Sequence, residues 1–300
     1  MEKETYIRKR LIQYSLMNIF TAQQLERIAT CLMIEPDLSL RDIFLTRTQK
    51  RPKNVYQLLD QAEKLARELD YERIKNQYHA RGVTCSTIFD SDYPLALKEI
   101  YQPPVVLYYQ GSWELTRRRR LGIVGSRKST PYGEKVLHEL LPPLIERGVV
   151  TVSGLAEGID RDVHSQTLSL KGSTIAIIGT GIDQVYPRQH QALQAKIGKE
   201  QLIISEYPLG TPPKRHHFPM RNRIIAGLCQ GVLVVEAKHR SGSLITANVA
   251  LQENREVFAV PGSILDPAYS GTNELIRAGA KLVISASDIF EEMEDLWLLK

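Results

Sequence analysis

Cysteine is scarce in this sequence, and the three present (Cys31, Cys85 and Cys229) lie far apart, with no Cys-x-x-Cys pair and no cluster with histidine. That spacing excludes a disulfide scaffold and a zinc site and fits a reducing cytosol. No stretch approaches the roughly 18 consecutive apolar residues that a membrane span requires. The start, MEKETYIRKRL, lacks the apolar core of a secretory signal. Neither GxxxxGK[ST] nor GxSxG occurs, which sets aside a P-loop NTPase and a serine-hydrolase elbow. Glycine is missing from the first 81 residues altogether, and only Pro36 and Pro52 precede Gly82. Acid is missing from two windows: none lies between Glu114 and Glu134, and none between Glu206 and Glu236.

What is present is ordinary in amount. The 43% hydrophobic and 24% charged content are those of a globular chain, and 300 residues suffice for one large or two ordinary domains. The net charge of +5 permits a nucleic-acid partner without requiring one, so the placement of charge decides. The second acid-free window reads YPLGTPPKRHHFPMRNRIIAGLCQGVLVV. It holds Lys214, Arg215, Arg221 and Arg223 with His216 and His217 between them, four fixed cations beside the start of a helix expected over about 220–228. The first window holds Arg117–Arg120, Arg127 and Lys128, and the four consecutive arginines are expected to flank a site cationically.

Apolar positions at helical spacing predict helices over 7–19, 23–33 and 55–74, with Thr21 opening a Ser/Thr-x-x-Gln start signature. Residues 1–81 therefore read as an accessory helical domain for protein contact or positioning. Its lack of glycine argues against phosphate-binding helical hairpins. Residues 82–120 read as a connector, with short strands at 86–89 and 105–109 and a short helix between them. From Leu121 the pattern changes. Strands are expected at 121–126, 149–154, 174–180, 201–206, 231–237, 256–262 and 281–284, separated by helices at 132–147, 159–170, 189–198, 220–228, 243–254 and 272–279. Apolar strands alternating with crossover helices predict an α/β fold with a doubly wound, mostly parallel sheet over 121–300, behind the all-helical N-terminal domain. Eight such units would be needed for a TIM barrel. The tail SDIFEEMEDLWLLK reads as an acidic amphipathic helix used for packing.

Ligands of such sheets bind beyond the C-terminal ends of the strands. Those ends carry Gly125-Ser126-Arg127, Ser153-Gly154, Gly179-Thr180-Gly181 followed by Tyr186-Pro187-Arg188, and Lys238 with Ser241-Gly242-Ser243. Small residues ahead of helix starts expose backbone N–H groups to phosphate oxygens. Several such turns at one edge, with Arg127, Arg188 and Arg223 among them, point to a row of phosphates and hence a polynucleotide. A second class stays open: a nucleotide or dinucleotide enzyme using the same anion sites, with Gly179-Thr180-Gly181 as part of a GxGxxG fingerprint and Glu206 as its ribose acid. A third is a partner protein whose basic loop meets an acidic surface. Asp160 and His164, one helical turn apart, and the pair His216-His217 are weighed as metal ligands. They read better as a helix-start acid, a helical histidine and a loop pair.

GSR after the first strand, SGLAEGID, IGTGIDQVYP, SEYPLG, HFPMRNRIIAGL, EAKHRSGSLITA and VFAVPGSI…GTNELIRAGAKLV together resemble the DNA-processing DprA (Smf) family. The resemblance covers about residues 86–285, with seven motifs in order. It implies an extended Rossmann fold and a non-enzymatic, cytoplasmic homodimer that binds single-stranded DNA, protects it during natural transformation and loads the RecA recombinase. It implies no cofactor, no metal and no membrane. It also places Gly125, Ser126, Arg127, Ser153, Gly154, Arg188, Arg221, Asn222, Arg223, Ser241, Gly242 and Ser243 along the DNA groove. Arg188 stands where the family commonly has lysine. The helical N-terminal domain is similar to the SAM-like domain of several members, and the chain ends before a C-terminal winged helix could fit. Phe218 is a candidate for stacking on a base.

Overall fold

The computed structural model describes residues 2–44 and 53–298. Two compact units emerge: residues 1–93 with 101–108, and residues 94–100 with 109–300.

Among the described residues of the first unit five helices precede a strand: α1 (Glu2–Leu16), α2 (Ala22–Ile34), α3 (Leu40–Phe44), α4 (Lys53–Glu68), α5 (Tyr71–Ala80) and β1 (Thr84–Thr87). Thr21 forms the expected capping box, accepting from Gln24 N at 3.3 Å while its own N–H donates to Gln24 Oε1 at 2.9 Å. The single helix expected over 55–74 is two, because Asp70 caps a new start by accepting from Arg73 N at 3.0 Å. The segment joining α3 and α4, residues 45–52, lies outside the described residues. Ile7, Leu11, Ile28, Leu32 and Leu40 are fully buried in this unit. Glu63 ties three helices together, accepting from Arg10 Nη2 (3.0 Å), Tyr14 OH (2.9 Å) and Leu40 N (3.0 Å).

Next along the chain come α6 (Leu95–Lys98) and β2 (Val106–Gly111). The second unit then alternates as the sequence predicts: β3 (Arg120–Val124), α7 (Pro131–Glu146), β4 (Val150–Ser153), α8 (Ile159–Ser169), β5 (Ser173–Ile178), α9 (Gln191–Glu200), β6 (Leu202–Ser205), α10 (His217–Leu228), β7 (Gly231–Val234), α11 (Gly242–Gln252), β8 (Glu256–Ala259), α12 (Ser270–Arg277), β9 (Lys281–Leu282) and α13 (Ala286–Leu298). From β3 onward the strand order is β6-β5-β4-β3-β7-β8-β9, and every pairing is parallel. The chain winds outward from β3 in one direction through β4–β6, then returns to β7 on its other side. The topological switch point therefore falls between β3 and β7. Every residue of β3, β4, β6 and β7 is buried, as a sheet covered on both faces demands. The acidic tail helix α13 packs by Ile289, Phe290, Met293 and Trp297 into the same core as Leu121, Leu137 and Phe258. Helix α10 begins three residues before its expected start. Pro219 is tolerated there because first-turn N–H groups have no intrahelical acceptor.

Candidate nucleic-acid interface

The C-terminal ends of β3 and β7 splay around a cleft of about 830 Å³. Its lining includes Gly125, Ser126 and Arg127 after β3, Asn222 and Arg221 from α10, and Lys238 with Ser241, Gly242 and Ser243 after β7. Eight of the twelve residues expected in a groove thus converge on the switch point. Lys214, Arg215, Phe218 and Tyr186 complete the rim. Arg127, Lys214, Arg215 and Lys238 are exposed. Arg127 lies 5.7 Å from the centre of the Phe218 ring, which itself sits 5.4 Å from Tyr186, so a cation borders a pair of aromatic faces.

The turn carrying Arg127 is fixed from below. Glu236, fully buried at the end of β7, accepts from Thr130 N (2.9 Å) and Thr130 Oγ1 (2.8 Å), and Thr130 caps α7 through Gly133 N. Burial pushes the Glu236 carboxyl above the usual range, while the two Thr130 bonds act the other way. Gly158, at φ +71°, lets the start of α8 pass beneath the same turn, where a Cβ would come within 2.2 Å of the Ser126 carbonyl oxygen.

The remaining four expected residues are placed differently. Ser153 is completely buried in β4, and its hydroxyl donates to the Ile123 carbonyl at 2.7 Å. Gly154 borders a smaller adjoining hollow and makes room for Arg221, whose Nη1 would stand 1.4 Å from a Cβ at that position. Arg188 is exposed, in a short 3₁₀ turn outside the cleft lining. Arg223 is buried and donates to both oxygens of Glu206 at 2.5 and 2.7 Å. The expectation of four uncompensated cations therefore holds for Lys214 and Arg215 and fails for Arg221 and Arg223. The neutralising acids come from elsewhere in the chain: Glu206 bounds the window at the end of β6, and Asp160 arrives from α8. Asp160 lies 3.9 Å from Arg221 Nη1 and accepts from Gly154 N at 3.2 Å. Burial raises the Asp160 carboxyl and opposes the charge on Arg221; each ion acts on its partner in the reverse sense. Engaged by Arg223, Glu206 is not presented as a ribose acid.

Asp160 and His164 turn to different partners: His164 Nδ1 lies 2.7 Å from Thr174 Oγ1. Burial first, then Arg221 and His190, push this imidazole down to about 3. His217 is likewise held below its ordinary value by burial, although its Nδ1 lies 3.0 Å from the Gly179 carbonyl oxygen.

The expected cationic flank also needs correction. Arg117–Arg119 precede β3 and Arg120 opens it, so they occupy the N-terminal edge of the sheet, away from the cleft. Arg120 is 1% exposed; its Nε donates to the Leu228 carbonyl at 2.7 Å and its Nη1 to the Thr116 carbonyl. Arg118 donates to the Gly148 carbonyl at 3.2 Å and Ser173 Oγ at 2.9 Å, and Arg119 lies over Trp297. A run of arginine cannot show in sequence which members serve carbonyl groups. Its position before a parallel strand was the available signal.

Fold and cleft together define a doubly wound, Rossmann-like α/β protein with a basic, aromatic-edged cleft at the switch point. The chain belongs to the DprA/Smf family: the model for DNA recombination-mediator protein A matches residues 84–294. It is 42% identical over 262 residues to the DNA processing protein DprA of Bacillus subtilis, covering 87% of this chain and 88% of that one. It is 50% identical over 208 residues to DprA of Streptococcus pneumoniae, covering 69% and 73%. The X-ray structure of the S. pneumoniae protein superposes with a TM-score of 0.82 at 39% identity, covering 96% of this chain and 97% of that chain. A structure of DNA processing protein A from Helicobacter pylori, described for its single-stranded DNA binding mode, gives a TM-score of 0.63 at 29% identity, covering 71% and 96%.

Proposed function

We propose that this chain binds single-stranded DNA along the switch-point cleft, without catalytic turnover, and delivers the strand to the RecA recombinase as a cytoplasmic homodimer. One observation carries the DNA reading: a cleft of about 830 Å³ whose rim presents Arg127, Lys214, Arg215 and Lys238 beside the faces of Phe218 and Tyr186, with its lining acid, Asp160, buried. Exposed cations track a phosphate backbone whatever its sequence, and aromatic faces stack on any base. Family membership supports recombination mediation, and the H. pylori protein's single-stranded DNA binding supports the choice of strand. The DNA-facing role of Arg127, Arg221, Asn222 and the Ser241–Ser243 turn is part of this reading. Arg188 belongs to it only if the strand runs past the rim; Ser153 and Arg223 support the site from behind.

The test is fluorescence anisotropy of a labelled oligonucleotide titrated at several salt concentrations, against a duplex of equal length. Single-strand binding with a log–log salt slope of about −0.7 per neutralised phosphate, and weaker duplex binding, is expected. Absence of single-strand binding at low salt would refute the reading and turn attention to nucleotides. RecA delivery is checked by the lag of RecA filament growth on protein-coated single strands, and the homodimer by light scattering.

A further inference from the structure

The floor of the cleft is not equivalent to its rim. Arg221 is only 4% exposed yet lines the cavity, and neither its Nε nor its Nη1 has a hydrogen-bond acceptor. Asp160 approaches Nη1 at 3.9 Å, near enough to balance charge and too far to accept a hydrogen bond. Two residues along the same helix, Arg223 also leaves Nε and Nη1 without acceptors, but its Nη2 is held by Glu206 at 2.5 and 2.7 Å and, unlike Arg221, it does not line the cleft. Charged N–H groups left without acceptors in a buried site are costly, and a fold retains them where something else satisfies them. Beside Arg221 on the same floor, Ser241-Gly242-Ser243 opens the eleven-residue helix α11, and a Cβ added at Gly242 would meet nothing within 4 Å. The N-terminus of α11 therefore faces open space, with its backbone N–H groups turned to the anion end of the helix dipole.

We propose that the floor is a discrete subsite for one internal phosphodiester, gripped by Arg221 and the N-terminus of α11, while the rim cations hold neighbouring phosphates loosely. The proposal rests on the single-strand reading of the cleft. Asp160 selects the charge of the ligand. Because Asp160 already offsets the Arg221 charge, the floor carries little net positive charge and accepts a monoanionic diester more readily than the second charge of a terminal phosphate. Enclosure also shields the floor contact from salt, whereas the exposed rim is screened.

The experiment is a scan in which single linkages of the shortest fully bound oligonucleotide are replaced, one at a time, by neutral methylphosphonates. With the wild-type chain, one linkage is expected to cost about tenfold in affinity and the others about twofold or less, since a desolvated charge-assisted pair outweighs exposed ones. In Arg221→Lys, which keeps the charge but loses the planar fork, affinity falls about tenfold with the salt slope unchanged, and the sensitive linkage disappears. A flat scan with wild-type protein overturns the subsite while leaving strand binding intact. Lack of binding by the unmodified oligonucleotide removes the underlying reading instead. A tenfold gain from a 5′-terminal phosphate would overturn the choice of an internal diester. Because the scan uses wild-type protein, it decides the matter even if Arg221→Lys folds poorly.

Discussion

Both edges of the parallel sheet carry clusters of basic residues and use them in opposite ways. At the N-terminal edge, Arg120 and Arg118 donate to the carbonyls of Leu228, Thr116 and Gly148, and Arg119 and Arg147 lie over Trp297 and Phe290 of α13. At the C-terminal edge, Arg127, Lys214, Arg215 and Lys238 surround open space. The difference follows from chain direction. In a βαβ unit the helices end where the strands begin, so carbonyl groups gather at the N-terminal edge and give guanidinium groups internal acceptors. Helices start where strands end, so N–H groups gather at the cleft, where cations and backbone donors both seek an external anion. Identical charges become structural or functional according to which end of a helix they meet.

That contrast is most open to attack at Arg120. Arg120→Met removes a buried donor to the Leu228 and Thr116 carbonyls and is expected to cost about 3 kcal/mol in denaturant unfolding, with single-strand affinity unchanged. Weaker DNA binding at full stability would break the comparison.

A smaller effect should appear in the pH dependence of thermal unfolding. The His164 ring takes a proton below its ordinary 6.5 in the unfolded chain but only near 3 in the fold. The unfolded state therefore binds more protons between those values, and stability falls by up to about 1.4 kcal/mol per pH unit across that window. Asp160 and Glu236, both raised by burial, take up protons on folding and act in the opposite direction on acidification. His164→Asn should flatten the acid loss, and an unchanged slope would refute the assignment.

At the cleft rim, Arg127→Ala or Lys214→Ala should each weaken single-strand binding about fivefold, equally for different sequences, and reduce the salt slope by about 0.7. An effect confined to one sequence would mean base readout. The least change is expected at Arg117, exposed at the N-terminal edge and paired with Glu114 at 3.3 Å. Arg117→Ala should alter stability by no more than about 0.5 kcal/mol and leave DNA affinity in place. A clear loss of affinity there would extend the DNA path to the second edge.

Much of this architecture is legible in the sequence. Each strand from β3 to β9 overlaps an expected run, with β3 and β5 beginning one residue earlier, because apolar β-branched segments between helical periods have few other arrangements. The GSR and SGS turns could be placed at one edge for the same reason: a parallel sheet puts every strand-to-helix turn on one side. Pairing was not legible. Glu206 and Arg223 are 17 residues apart, and Asp160 and Arg221 are 61 apart in the chain (221 − 160), so a window free of acid said nothing about acids delivered by other elements. Nor does a serine after a strand reveal whether it faces the cleft, as Ser126 does, or a neighbouring strand's carbonyl, as Ser153 does.

The sequence by itself determined the order and type of the elements from β3 onward, the edge at which the small-residue turns gather, and the family. Those properties depend on local periodicity and turn chemistry, which neighbouring residues settle among themselves. Tertiary structure alone decided which cations stay free, which are matched by buried acids, and that Arg221 keeps unpartnered donors at the floor of the cleft. Burial and electrostatic pairing depend on distance in space, and the folded sheet sets those distances between residues far apart in the chain.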